Sequence, residues 1–117
     1  MITVLRVEPG KAPELVEIED SLESLQKEVG GYIEGVYPWD EPVAIICDEE
    51  AKLTGKELNR ALRDEDGHIY DIVAGTFLIV GLGAEDFISI GDYAEKYSKM
   101  FQRPEKFVRM GGKVVCC

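Results

Sequence analysis

The sequence predicts an α+β fold: a single domain over residues 1–103, with a mixed, mainly antiparallel β-sheet and helices packed on one side, then a tail over 104–117. Three observations lead there. Short runs rich in β-branched and aromatic residues recur between turn signals. Apolar residues at helical spacing fall mainly in two stretches, one following residue 20 and one following residue 89. Hydrophobic residues make up 45% of the 117, enough for a core that needs neither metal nor disulfide.

"ITVLRV" (2–7) and "ELVEIE" (14–19) read as a strand pair, and "PGKAP" between them implies a hairpin loop longer than two residues. Asp20 is the candidate N-cap of a helix, with Glu23 three positions on and Leu22, Leu25 and Val29 at helical spacing. Gly30 and Gly31 end it. "YIEGVY" (32–37) alternates and "VAIIC" (43–47) is continuously apolar, so two more strands follow.

"KELNRAL" (56–62) reads as one or two helical turns, with Leu58 and Leu62 at i, i+4 facing inward. Asp66-Gly67 marks a turn before the strand "HIYDIV". "TFLIVGL" (76–82) has the uninterrupted apolar character of a central strand. Ser89 is the candidate cap of a last helix that Pro104 ends. The tail, containing "RMGGKVVCC", forms an edge strand or frays.

Twenty-three acidic against thirteen basic residues give a formal charge of -10, which disfavours direct binding of nucleic acid and of anionic membrane surfaces. Cys47 lies in an apolar run and Cys116 and Cys117 are neighbours, so no disulfide framework is implied. One His, with no CxxC or HxxxH spacing, argues against a metal site, and no motif calls for a cofactor. The start has no export signal and no run is long enough to cross a bilayer, so the expected location is the cytoplasm.

"VGGYIE" (29–34), "NRAL" (59–62) and "YDIVAGTF" (70–77) resemble the domain-of-unknown-function family numbered 3846, and the likeness runs over roughly the first hundred residues. The resemblance implies a small protein of a bacteriophage or mobile element, and with it a role in host takeover or in blocking host defence.

Candidate site residues cluster in two places. Asn59 offers a two-sided amide, Arg60 and Arg63 offer planar five-donor forks, and Tyr70 and Asp71 follow the turn. Convergence of these groups at the rim of a pocket suits an anionic or nucleotide-like ligand. The alternative is a structural clamp, in which Arg60 or Arg63 pairs with Asp64, Glu65, Asp66 or Asp71. Tyr32 and Glu34 share one face of their strand and form a second candidate wall.

The small residues of "AGTF" and "VGLG" match neither a Walker A loop nor a dinucleotide fingerprint, and they read as a turn or a close backbone approach. No Ser or Cys stands in a nucleophile motif. The sequence therefore favours a non-enzymatic protein that binds a small nucleotide-derived ligand such as a host immune signal. The alternatives are an acidic or DNA-mimic inhibitor of a host protein and a small nucleotide hydrolase with Glu34 or Asp71 as base. Homo-oligomers stay open.

Overall fold

The computed structural model describes residues 1–116; Cys117, at the end of the expected tail, lies outside them. Strand β1 (Ile2–Val7) pairs antiparallel with β2 (Glu14–Ile18) across residues 8–13, the long-looped hairpin expected from "PGKAP". Helix α1 (Leu22–Val29) leads into β3 (Ile33–Val36) and β4 (Val43–Asp48), which pair with each other. Next, β5 (Leu58–Arg63) and β6 (Ile69–Ala74) form a separate two-stranded sheet. The chain returns as β7 (Phe77–Leu82), and β8 (Phe87–Ile88) folds back on its end. A 3-10 turn (Gly91–Tyr93) runs into α2 (Ala94–Met100). In the tail, β9 (Phe107–Met110) and β10 (Lys113–Cys116) pair with each other as a hairpin.

The main sheet has the order β2-β1-β7-β4-β3, with β8 on β7. The run "TFLIVGL" therefore does occupy the centre. Every strand pairing among the described residues is antiparallel, so the sheet is not mixed. The β5–β6 hairpin explains this at the centre. A hairpin begins and ends at the same place, so β7 re-enters the sheet where β4 left it and runs the opposite way.

The helices do not share one side. Ile2, Val4, Ala44, Ile46, Leu78 and Val80 form the face beneath Leu25 and Val29 of α1. Their neighbours in the alternation, Leu5, Val7, Val43, Ile45, Phe77 and Ile79, pack on the other face against Tyr97, Phe101, Leu62 and Val73. One face is thus covered by α1, and the opposite one by α2 together with the β5–β6 hairpin. The continuous apolar runs of β4 and β7 require this, because a strand without polar alternation is buried on both faces.

The cap of α1 is Ser21 rather than Asp20: the Ser21 hydroxyl oxygen accepts from Ser24 N at 3.1 Å, and Gly30 ends the helix with φ +75°. Ser89 does not cap a helix either. Its Oγ accepts from Thr3 N at 2.9 Å, and the turn before α2 has no side-chain cap. The glycines of β7 and of the turn before it behave as the sequence suggests. A Cβ on Gly81 would stand 2.3 Å from the Ser89 carbonyl oxygen, and Gly75 turns the chain between β6 and β7 with φ +72°.

The largest departure is the run 56–62: from Leu58 on it belongs to strand β5, and none of it is helical. The i, i+4 spacing of Leu58 and Leu62 suits one side of a helix, but so short an apolar pattern is equally compatible with a strand. What decides is the partner strand. Asp64 Oδ1 accepts from Asp66 N and His68 N, both at 2.9 Å, which closes the Asp66-Gly67 turn and brings β6 alongside. The register slips between Leu58 and Arg60, so Asn59 occupies a bulge.

Candidate functional site

The bulge turns two of the expected ligand-binding residues into the protein. Asn59 is fully buried, and its Nδ2 donates to Val7 O at 2.9 Å and Gly75 O at 2.8 Å. Its Oδ1 accepts from Arg60 Nη1 at 2.7 Å. Arg60 is 1% exposed; its Nε and Nη2 donate to Phe101 O at 3.1 and 2.9 Å, and Nη2 also reaches Lys11 O at 2.6 Å.

These two side chains stitch β5 to the end of β1, to the β6–β7 turn and to the C-terminal end of α2. Backbone carbonyls at a helix C-terminus are good partners for a cation, because the helix dipole places partial negative charge there. Arg60 is thus a clamp, but not onto the carboxylates named from the sequence. The acid nearest this system comes from beyond Pro104: Glu105 Oε2 accepts from Ala61 N at 2.7 Å, and Oε1 pairs with Arg63 Nη2 at 2.5 Å. Burial nudges the Arg60 guanidinium's pKa downward, and the charge of Glu105 opposes that shift. Sequence reasoning missed Glu105 because it lies far along the chain from its partners.

Apart from Tyr32, the remaining candidates line three clefts, and the third, about 600 Å³, brings Tyr70 and Asp71 together with Lys52 and Lys56. The first, of about 360 Å³, opens between the tip of the β5–β6 hairpin and the end of α2. Its floor is Ala61, Leu62 and Phe101, its walls include Trp39, Tyr70 and Met100, and Arg63, Asp64 and Glu65 supply its charged groups. Trp39 is held by Tyr97 and Phe101, with ring centroids 4.3 and 6.2 Å away. Tyr97 in turn donates its hydroxyl to Glu41 Oε1 at 2.5 Å, and Lys96 Nζ reaches the same oxygen at 2.7 Å. These two bonds hold the Glu41 carboxyl below its ordinary range, while burial, with help from Glu41, pushes the Tyr97 phenol up. The Trp39 wall thus rests on a packed base. Trp39, the sole Trp of the chain, belongs to the aromatic segment 30–42, from which the sequence offered the face of Tyr32 and Glu34 as the wall.

The second cleft, about 140 Å³, lies between β3–β4 and the β5–β6 hairpin and brings Glu34 and Asp71 together. Asp71 Oδ1 accepts from Lys52 Nζ at 2.7 Å and from its own neighbour's amide, Ile72 N, at 2.8 Å. Cys47 lines the same cleft, and burial followed by the nearby Glu34 and Asp48 pushes its thiol up to about 11. At neutral pH that thiol is not a nucleophile. The volume is too small for a nucleotide. Tyr32, 68% exposed, lines none of these clefts. Glu34 thus lines the second cleft without Tyr32.

Next to this cleft, Asp48 anchors α1 to the sheet. Lys56 Nζ lies 2.6 Å from Asp48 Oδ2 and donates to Val29 O and Gly30 O, both at 3.0 Å. The Lys56 bond, aided by Glu50 N, holds the Asp48 carboxyl below its usual range. A depressed folded pKa means stability that is present above the unfolded value, about 3.9, and lost as pH falls through the folded value. Lys56→Met removes the bond and leaves the carboxylate unpaired at neutral pH. The expected result is a stability gap between wild type and Lys56→Met that is large at pH 7 and narrows below about pH 4, read from urea unfolding at both pH values.

Three exposed groups at the hairpin tip, Asp64, Asp66 and His68, bring ligand atoms within 4.8 Å of one another. Asp64 already serves the turn there, which accounts for the grouping. No helix of the described residues is long and apolar enough to cross a membrane. Residues 2–102 match the model of a family described as Domain of unknown function (DUF3846). No curated protein and no solved structure matches the chain.

Proposed function

The chain belongs to the DUF3846 family, and we propose that it is a non-enzymatic binding protein of a phage or mobile element that holds a small nucleotide-derived ligand and withdraws it from a host effector. The observation that carries this reading is the 360 Å³ cleft: an apolar floor, aromatic walls and a few charged groups on its lining. That is the anatomy of a small-molecule site, in which ring faces supply area and a few polar groups supply orientation. Tyr70 and Trp39 flank the ring, and Arg63 takes the anionic contact that the sequence shared between Arg60 and Arg63. Sequestration asks for affinity and no turnover, which accords with a thiol held protonated and with carboxylates engaged in ion pairs.

Tyr70 is 56% exposed, so Tyr70→Ala should change folding stability by no more than about 0.5 kcal/mol. Ligand-induced stabilisation, followed as a rise in melting temperature with nucleosides, nucleotides and ADP-ribose-type molecules, should appear in the wild type and vanish in Tyr70→Ala. The bound molecule should be recovered intact after denaturation. Recovery of a product would replace the binder with a hydrolase, and stabilisation that survives Tyr70→Ala would move the site elsewhere.

A further inference from the structure

We infer that the cleft selects a ligand of single-nucleoside size bearing at most one phosphate, and that it discriminates against polyphosphates and cyclic dinucleotides. This rests on the reading of the cleft as the ligand site. Two independent observations lead to it, one of size and one of charge.

The volume of about 360 Å³ lies near the bottom of the range for small-molecule sites, roughly 300–1,000 Å³. One ring system with its sugar fills such a space, and a molecule with two bases exceeds it. The charge on the lining points the same way. Among the described residues Arg63 is the one basic residue lining the cleft, and it stands beside Asp64 and Glu65. Its Nη2 is already 2.5 Å from Glu105 Oε1. Arg60, the nearby cation in sequence, is 1% exposed and spends its donors on Phe101 O, Lys11 O and Asn59, so it has nothing to offer a ligand.

A first phosphate thus meets a guanidinium that has an internal carboxylate partner, and a second meets like charge from Asp64, Glu65 and a body of formal charge -10. Carboxylates are acceptors only, which suits ribose hydroxyls and exocyclic amines as their ligand-side donors. The lining therefore rewards hydrogen-bond donors and penalises each added anion.

Calorimetric titration of the full chain with adenosine and guanosine, their mono-, di- and triphosphates, and a cyclic dinucleotide tests this at low and high salt. The expected result is tightest binding by a nucleoside or monophosphate, about tenfold weaker binding for each further phosphate, and a shallower series in 1 M salt. Glu65→Gln, a change at an exposed site, should tighten the diphosphate more than the nucleoside. If a triphosphate or the cyclic dinucleotide binds tightest and Tyr70→Ala abolishes that binding, the site stands and the size and charge selection is wrong. If no member of the panel binds, both the site and the selection fall.

Discussion

Arg60→Ala is expected to lower the melting temperature by roughly 10–20 °C, which corresponds to about 3–5 kcal/mol of stability for a domain of this size. The side chain is buried, and its removal leaves the Phe101 and Lys11 carbonyls and the Asn59 amide oxygen without their donors. Buried acceptors deprived of a partner keep the full cost of their lost hydration. Arg60→Lys should recover only part of the loss, because a single ammonium cannot reproduce a planar fork that serves carbonyls on two separate segments. Thermal and urea unfolding of both variants provide the measurement. An Arg60 at the rim of a pocket, as the sequence was read, would give the reverse: little change in stability with loss of ligand binding. A mild effect of Arg60→Ala on folding would mean that the buried network described here does not form.

Phe77→Ala is expected to cost about 3–5 kcal/mol as well, through a different mechanism. Phe77 opens the central strand, has no exposed surface, and meets Phe101 edge to face with ring centroids 5.4 Å apart. Phe101 also packs on Trp39 and carries the carbonyl that Arg60 holds. The cavity therefore opens beneath α2 and under the floor of the 360 Å³ cleft. Urea unfolding should show the lower midpoint at an unchanged slope. Because the two residues meet at Phe101, the double variant Arg60→Ala, Phe77→Ala should lose less than the sum of the single losses.

Strands were the most legible part of the sequence. "ITVLRV", "VAIIC" and "TFLIVGL" needed only their apolar, β-branched character, and each became a strand of the main sheet. The hairpin turn at Asp66-Gly67 and the end of α1 at Gly30 were legible for the same reason, since a short local pattern sufficed. Sidedness was readable too, although the expectation of helices on one side overlooked it: strands apolar on both faces imply a cover on each. Of the candidate site residues, Arg63 and Tyr70 meet in one cleft and Glu34 and Asp71 in another. Tyr32 joins neither of the two, and Asn59 and Arg60 turn inward.

What the sequence by itself determined is whatever a window of a few residues decides through backbone preference and apolar spacing: the central strand, the paired strands at the start, the first helix and the turn before β6. The tertiary structure alone decided whether residues 56–62 became helix or strand and which way Arg60 points. Both outcomes depend on partners remote in sequence: β6 supplies the ladder, and Lys11 and Phe101 supply the carbonyls. An arginine that reads as surface charge beside local carboxylates becomes a core residue only when three distant segments converge on it. The physical reason is that hydrogen-bond satisfaction of a buried cation is a property of the assembled fold, whereas strand and turn propensity reside in the chain's own local sterics.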